Sequence, residues 1–169
     1  MPERENLISV LVTDHREVEQ MFTELENEGL SQERRAELRD KVIAELVRHS
    51  VAEEMYLYPT TRTALPGGDQ LADRELEEHA AAERLMKDLE KCDPTDRRFD
   101  DLLTQLITDI RGHVAEEETD LFPRLQAACS EQELAELGAK VQQAKKMAPT
   151  RPHPSAPDTP PMKIGRAHV

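Results

Sequence analysis

The chain repeats itself. Shifted by 64 residues, its first half superimposes on its second without a gap: Asp14-His15 falls on Glu78-His79, and residues 49–59 (His-Ser-Val-Ala-Glu-Glu-Met-Tyr-Leu-Tyr-Pro) fall on residues 113–123 (His-Val-Ala-Glu-Glu-Glu-Thr-Asp-Leu-Phe-Pro). Apolar positions follow the same shift, with Leu25 on Leu89, Leu38 on Leu102, Val42 on Leu106, Ile43 on Ile107, Leu46 on Ile110 and Leu57 on Leu121. Every histidine before the C-terminal segment takes part, since His15 pairs with His79 and His49 with His113. Each copy holds two helical stripes, so the repeat predicts two similar helical hairpins related by a pseudo-twofold axis.

The stripes are read from apolar spacing by threes and fours. The first helix is expected over about residues 5–28, with Leu7, Leu11, Val18, Phe22 and Leu25 inward and His15 in the one gap of that stripe. Gly29 ends it, and Ser31 caps the next, with Arg34 at the capping-box position. The second helix, about residues 32–58, turns Leu38, Val42, Leu46, His49, Glu53 and Leu57 to one face, and Pro59 with the later Pro66-Gly67-Gly68 turn closes it. The third, about residues 69–91, faces inward with Leu76, His79, Met86 and Leu89. The fourth starts after Asp93-Pro94 or Thr95 and runs to about residue 128, with Leu102, Leu106, Ile110, His113, Glu117 and Leu121 in line. A short amphipathic helix over about residues 131–146 follows Ser130 as N-cap. Only 3% of the residues are aromatic and there is no Trp, which argues against a β-rich fold. Short turns between long amphipathic helices give an all-α, antiparallel up-down-up-down four-helix bundle, with a short fifth helix, over residues 1–147. Residues 148–169 carry a run of prolines and read as a disordered tail. Its last stretch, 164–169, resembles a translated sequencing adapter, so His168 is left out of any metal argument, and His153 reads as a solvated residue.

The chemistry follows from where the polar residues point. His49 and Glu53 lie four apart on the apolar face of their helix, and His113 and Glu117 repeat the arrangement. A buried glutamate without a partner is costly, because lost hydration must be replaced by a charge, a hydrogen bond or a metal. Any one His-x-x-x-Glu pair in so acidic a chain would be an ordinary surface pair, and a lone inward histidine an ordinary core residue. Two glutamates and four histidines converging at matched repeat positions are instead satisfied together by a dinuclear metal centre. Imidazole and carboxylate suit iron, zinc or manganese.

The pattern His15, His49-x-x-x-Glu53, His79, His113-x-x-x-Glu117 resembles the hemerythrin-like family of His-His-Glu cation-binding domains, over about residues 7–128. The resemblance implies a four-helix bundle around two non-haem iron ions. It implies His15, His49, His79 and His113 as terminal ligands and Glu53 and Glu117 as bridging carboxylates, with one iron between His15 and His49 and the other between His79 and His113. Oxygen-carrying members have a further histidine four residues after the one on the third helix. Here Glu83 stands there, with Glu19 as its repeat mate. Glu19 reads as a charged neighbour or an imidazole-orienting partner, and for Glu83 metal ligation stays open as well. Tyr56 and Tyr58 follow the first motif, where a phenol could reach the metals or relay electrons, though packing near the bundle end is the plainer reading.

The expected function is therefore a non-haem di-iron protein that binds or reacts with dioxygen, peroxide or nitric oxide, in sensing, scavenging or iron handling. The alternatives are a catalase-like enzyme that disproportionates peroxide, and a metal-free or zinc-stabilised interaction bundle. A ferritin-type oxidase fits less well, because its Glu-x-x-His order and spacing differ. The net charge of −13 repels phosphate backbones, which speaks against a nucleic-acid partner. No apolar run is long enough for a signal peptide or a membrane span, and Cys92 and Cys129 suggest no disulfide framework, so the expected location is the cytoplasm. Oligomeric state is not encoded in any motif of the chain.

Overall fold

The computed structural model describes residues 5–148, and they are helical almost throughout. The proline-rich segment, His153 and the stretch 164–169 lie outside the described residues. Helix α1 spans Leu7–Leu25. Its start is set by Asn6, whose side chain accepts from the Ser9 N–H at 2.9 Å while the Ser9 hydroxyl accepts from the Asn6 N–H at 2.9 Å. That reciprocal cap places the start later than apolar periodicity alone suggests.

The second long helix departs from expectation. It consists of α2 (Gln32–Ala52), a wide π turn (Glu53–Leu57) and α3 (Tyr58–Ala64), so it passes through Pro59 instead of stopping before it. A proline inside a regular helix lacks the N–H for the carbonyl four residues back and collides with that carbonyl. Here the Tyr58 N–H reaches back five residues to the Glu53 carbonyl, and the extra residue in that turn makes room for the ring. The fourth long helix repeats the device: α5 (Arg97–Glu116), a π turn (Glu117–Leu121) and α6 (Phe122–Ala128), with the Phe122 N–H on the Glu117 carbonyl and Pro123 just beyond. Between them, α4 spans Gly68–Glu90. Gly68 is required there because a Cβ would lie 2.0 Å from the Thr61 carbonyl oxygen. Buried Arg39 closes the end of α4, donating to Leu89 O in its last turn at 2.9 Å and to Cys92 O just beyond it at 2.8 Å.

Helix α1 packs on α2, α4 on α5 and α2 on α4, as an up-down-up-down bundle requires, and α7 (Glu131–Met147) lies across α1 and α2. Ser130 caps α7, and Glu133 returns a bond to the Ser130 N–H. The interior is not one apolar core but two. One is built on Phe22, Leu38, Leu46, Met86, Phe99 and Leu106; the other on Leu7, Leu11, Ala52, Leu57, Leu121 and Leu125. Between them lies a layer of buried His15, His49, Glu53, His113 and Glu117. Among the described residues no helix is long and apolar enough to cross a membrane.

The seat of α7 depends on Gly138, where a Cβ would stand 2.6 Å from the backbone carbon of Asn6 and 2.9 Å from the Leu7 nitrogen. Backbone cannot yield as a side-chain tip does, so G138A should push α7 off α1 and cost about 1–3 kcal/mol, the range for overpacking. Thermal or urea melts of the variant check this; an unchanged midpoint would show that α7 is not held at this point.

Candidate metal centre

The polar layer is made by a ring of side chains from all four long helices. His15 comes from α1, His49 and Glu53 from the second long helix, His79 from α4, and His113 and Glu117 from the fourth. Each imidazole is anchored on its outer nitrogen by a carboxylate. His15 Nδ1 lies 2.7 Å from Glu118, His49 Nδ1 2.8 Å from Asp14, His79 Nδ1 2.7 Å from Glu54, and His113 Nδ1 2.7 Å from Glu78. A carboxylate only accepts, so it holds the proton on Nδ1 and turns Nε2 to the centre of the bundle. The anchors obey the repeat: Asp14 and Glu78 are 64 apart, as are Glu54 and Glu118.

Inside this ring the donor atoms converge without satisfying one another. His49 Nε2 lies 2.8 Å from Glu53 Oε2, His15 Nε2 lies 3.2 Å from Glu117 Oε1, and His113 Nε2 lies 3.1 Å from Glu117 Oε2. Yet His15 Nε2, His49 Nε2, His113 Nε2, Glu53 Oε2 and Glu117 Oε1 are all buried with no hydrogen-bond partner. Atoms that approach this closely without hydrogen-bond alignment are aimed at a common point. Buried polar atoms are nearly always paired, so such a set calls for a ligand that accepts lone pairs. Two groups with donor atoms within 4.8 Å of one another emerge: His15, His49, Glu53 and Glu117 on one side, and Glu53, His79 and His113 on the other. The donor set fits a pair of cations, and Glu53 belongs to both groups.

Two side chains enter the layer that sequence periodicity left outside. Tyr58 is buried, and its Oη lies 2.9 Å from His79 Nε2, 3.0 Å from Glu53 Oε1 and 3.1 Å from Glu117 Oε2. One hydroxyl proton cannot serve three acceptors, so the phenol sits in the same surplus of lone pairs as the ligand set. It arrives there because the π turn rotates the residue five after Glu53 back onto the inner face. Its ring still packs in the apolar core built on Leu7, Leu11 and Leu57, as the plainer reading expects. Its repeat mate Phe122 instead stacks on His15, with ring centroids 5.9 Å apart and planes 9° apart. Glu75 is 1% exposed and both of its oxygens lack hydrogen-bond partners. It forms a third donor group with His113 and Glu117.

Glu83, one turn after His79, joins none of these groups and lies 3.4 Å from Lys87. Glu19 is held by Arg111 at 2.8 and 3.0 Å, outside the ring. Tyr56 is half-buried against the apolar core that contains Leu57. Asp14, besides anchoring His49, carries an ion pair to Lys145 of α7. The repeated acids Asp14/Glu78 and Glu54/Glu118 were visible as matched positions in the sequence, and that match was the available signal. Glu75, opposite Leu11 in the repeat, and Lys145 offered none. A cavity of about 620 Å³ adjoins the layer on the Phe22 side, lined by Val18, Phe22, Leu46, Ala82 and Met86 together with the four imidazoles.

Proton occupancy follows the same geometry. Burial alone would lower His49, but Glu53 and Asp14 outweigh it and lift the imidazole to about 10. His79 is lifted against burial by Glu53 and Glu54 to about 9. Burial, with Glu117 and Glu53 beside it, pushes Glu75 up to about 9. Glu53 is held below its ordinary value: burial, which opposes this, is outweighed by the imidazoles of His49, His113 and His79. Groups raised by folding stabilise below their unfolded values, 4.5 for Glu75 and 6.5 for the histidines, and lose that stabilisation as pH climbs through about 9 and 10. The lowered Glu53 loses its contribution as pH falls below 4.5. Chelator-treated protein should therefore melt highest near about pH 5 and at falling temperature up to pH 10. Circular-dichroism melts across that range test it, and a melting temperature that climbs from pH 6 to 10 would contradict it.

A bundle whose interior is cut by a carboxylate–imidazole layer of this composition is a cation-binding protein. Residues 6–125 match the family described as the hemerythrin HHE cation binding domain, and the chain belongs to that family. It is 30% identical over 126 residues to an uncharacterised hemerythrin-like protein of Schizosaccharomyces pombe, covering 74% of this chain and 62% of that one. It is 29% identical over 141 residues to a DNA nickase of a Nostoc species, covering 83% of this chain and 39% of that protein. The chain thus spans under two thirds of the length of either relative. Its fold is also that of a crystal structure of a hemerythrin HHE cation binding domain-containing protein from Mycobacterium kansasii, with a TM-score of 0.71 at 23% identity, covering 85% of this chain and 89% of that one.

Proposed function

We propose that His15, His49, His79 and His113, with Glu53 and Glu117 shared between two positions, hold two iron ions, and that this centre binds or reacts with dioxygen, peroxide or nitric oxide. The observation that carries the reading is the set of buried, unpartnered Nε2 and carboxylate atoms aimed at one region between two apolar cores. The iron pair would supply redox electrons and Lewis acidity. The chain's own residues do the rest. The four outer carboxylates fix the imidazole tautomers, the two cores exclude bulk water, and Tyr58 Oη holds a proton within 3.1 Å of Glu53, Glu117 and His79. The adjoining cavity offers a small ligand an apolar approach to the imidazoles. Sensing, scavenging and iron handling in the cytoplasm all agree with these features. The nicking activity that names the Nostoc relative is not carried over, since the chain matches 39% of that protein and its net charge of −13 opposes a phosphate backbone.

Anaerobic reconstitution with ferrous iron, followed by metal analysis and the visible spectrum on admitting air, tests the proposal. The expected result is two irons per chain, a new visible absorption, and a higher melting temperature than the chelator-treated form. H49A and E53A should lose iron and that gain in stability; a wild-type chain that retains no iron overturns the reading. Reaction beyond binding is read from oxygen evolved on adding peroxide. A rate no greater than that of the same concentration of free iron limits the function to binding.

A further inference from the structure

The repeat accounts for the six proposed ligands and for the outer carboxylates that orient them, but not for Glu75. This residue sits on α4 one turn before His79, and its repeat mate is Leu11, which is fully buried in the apolar core. One half of the duplicated frame carries a glutamate where the other carries a core leucine. Its side chain is 1% exposed, and both carboxylate oxygens lack a hydrogen-bond partner. Oε2 lies 3.6 Å from His113 Nδ1, a nitrogen already committed to Glu78 at 2.7 Å, so Glu75 is not needed to orient that ring. One of its oxygens instead comes within 4.8 Å of a Glu117 oxygen. A carboxyl buried against a carboxylate in a dry interior is satisfied either by a shared proton or by a positive centre between the two.

We infer that Glu75 is a further carboxylate donor to the cation held by His79 and His113, which makes the dinuclear centre unsymmetrical in its protein ligands. Glu75, His113 and Glu117 bring donor atoms within 4.8 Å of one another, whereas on the opposite side Leu11 offers no donor. The additional acid on this helix therefore lies four residues before His79; Glu83, four residues after it, is paired with Lys87. A third carboxylate on one side favours the harder, more highly charged ion there. The side of His15 and His49 keeps fewer protein donors, and so more positions for a small ligand.

The inference rests on the proposed dinuclear reading, and E75L, which copies the repeat mate, separates the two. Reconstituted wild type and E75L are challenged with a graded chelator, and the ions retained per chain are counted; E75Q, which keeps the shape without the charge, is measured beside them. Wild type should retain two ions, while both variants should release one of the two at a chelator concentration lower by roughly tenfold or more, since loss even of a group that only orients a ligand costs about that much affinity. Chelator-treated E75L should melt no lower than wild type, because the substitution removes a buried carboxylate without partners. If wild type retains two ions and both variants hold them as firmly, Glu75 is not a donor and this inference falls alone. A metal-free E75L that melts well below wild type assigns Glu75 to packing and also overturns it. A wild type that retains no ion overturns the proposed function itself.

Discussion

A layer of imidazoles and carboxylates closed between two apolar cores governs this structure. Removing one partner from a buried charged pair costs about 3–5 kcal/mol, because the other is left uncompensated. The orphaned Nε2 and carboxylate atoms of this layer face that penalty together. The apolar cores above and below, with Phe22, Phe99 and Leu106 on one side and Leu7, Leu57 and Leu125 on the other, hold the helices in place around that layer. Site and stability are thus opposed within one interior, and a ligand that binds only the folded chain relieves the opposition.

The frame around the layer is duplicated more faithfully than the layer itself. Asp14 and Glu78, then Glu54 and Glu118, anchor the imidazoles in matched pairs, and both long helices with a His-x-x-x-Glu motif widen into a π turn at the glutamate. Inside, the halves part: Tyr58 stands against Phe122 and Glu75 against Leu11. Symmetry serves to build a rigid cage, and the departures from it make the two sides of the layer chemically different.

The fold was legible because its signals are local and repeated. Spacing by threes and fours placed the long helices, and the duplicated motif gathered His15, His49, Glu53, His79, His113 and Glu117. The failures have a common physical root, namely that periodicity assumes a regular helix. Pro59 reads as a stop unless a π turn accommodates it, and only that turn brings Tyr58 to the inner face. Glu75 was hidden for another reason. In a chain with 35 acidic residues, a single glutamate without a repeat mate carries no signal until its burial is seen. Lys145 is invisible in the same way, because its role depends on how α7 lies across α1.

That placement of α7 gives the two sides of the layer different electrostatics. Behind His49, the charge of Asp14 is balanced by Lys145, which is mostly shielded from water. Behind His113, Glu78 has both the acid Glu75 and the base Arg74 beside it, each from α4. Water screens little at such depth, so the difference persists at the ring nitrogens that face the centre. The side of His15 and His49 is thus balanced by a lysine of α7, and the side of His79 and His113 by neighbours on α4 itself. The outer asymmetry comes from α7 and the inner one from Glu75, and both set the half with His15 and His49 apart from the half with His79 and His113. Two halves built on one repeat thus meet the shared layer with different side chains behind their imidazoles.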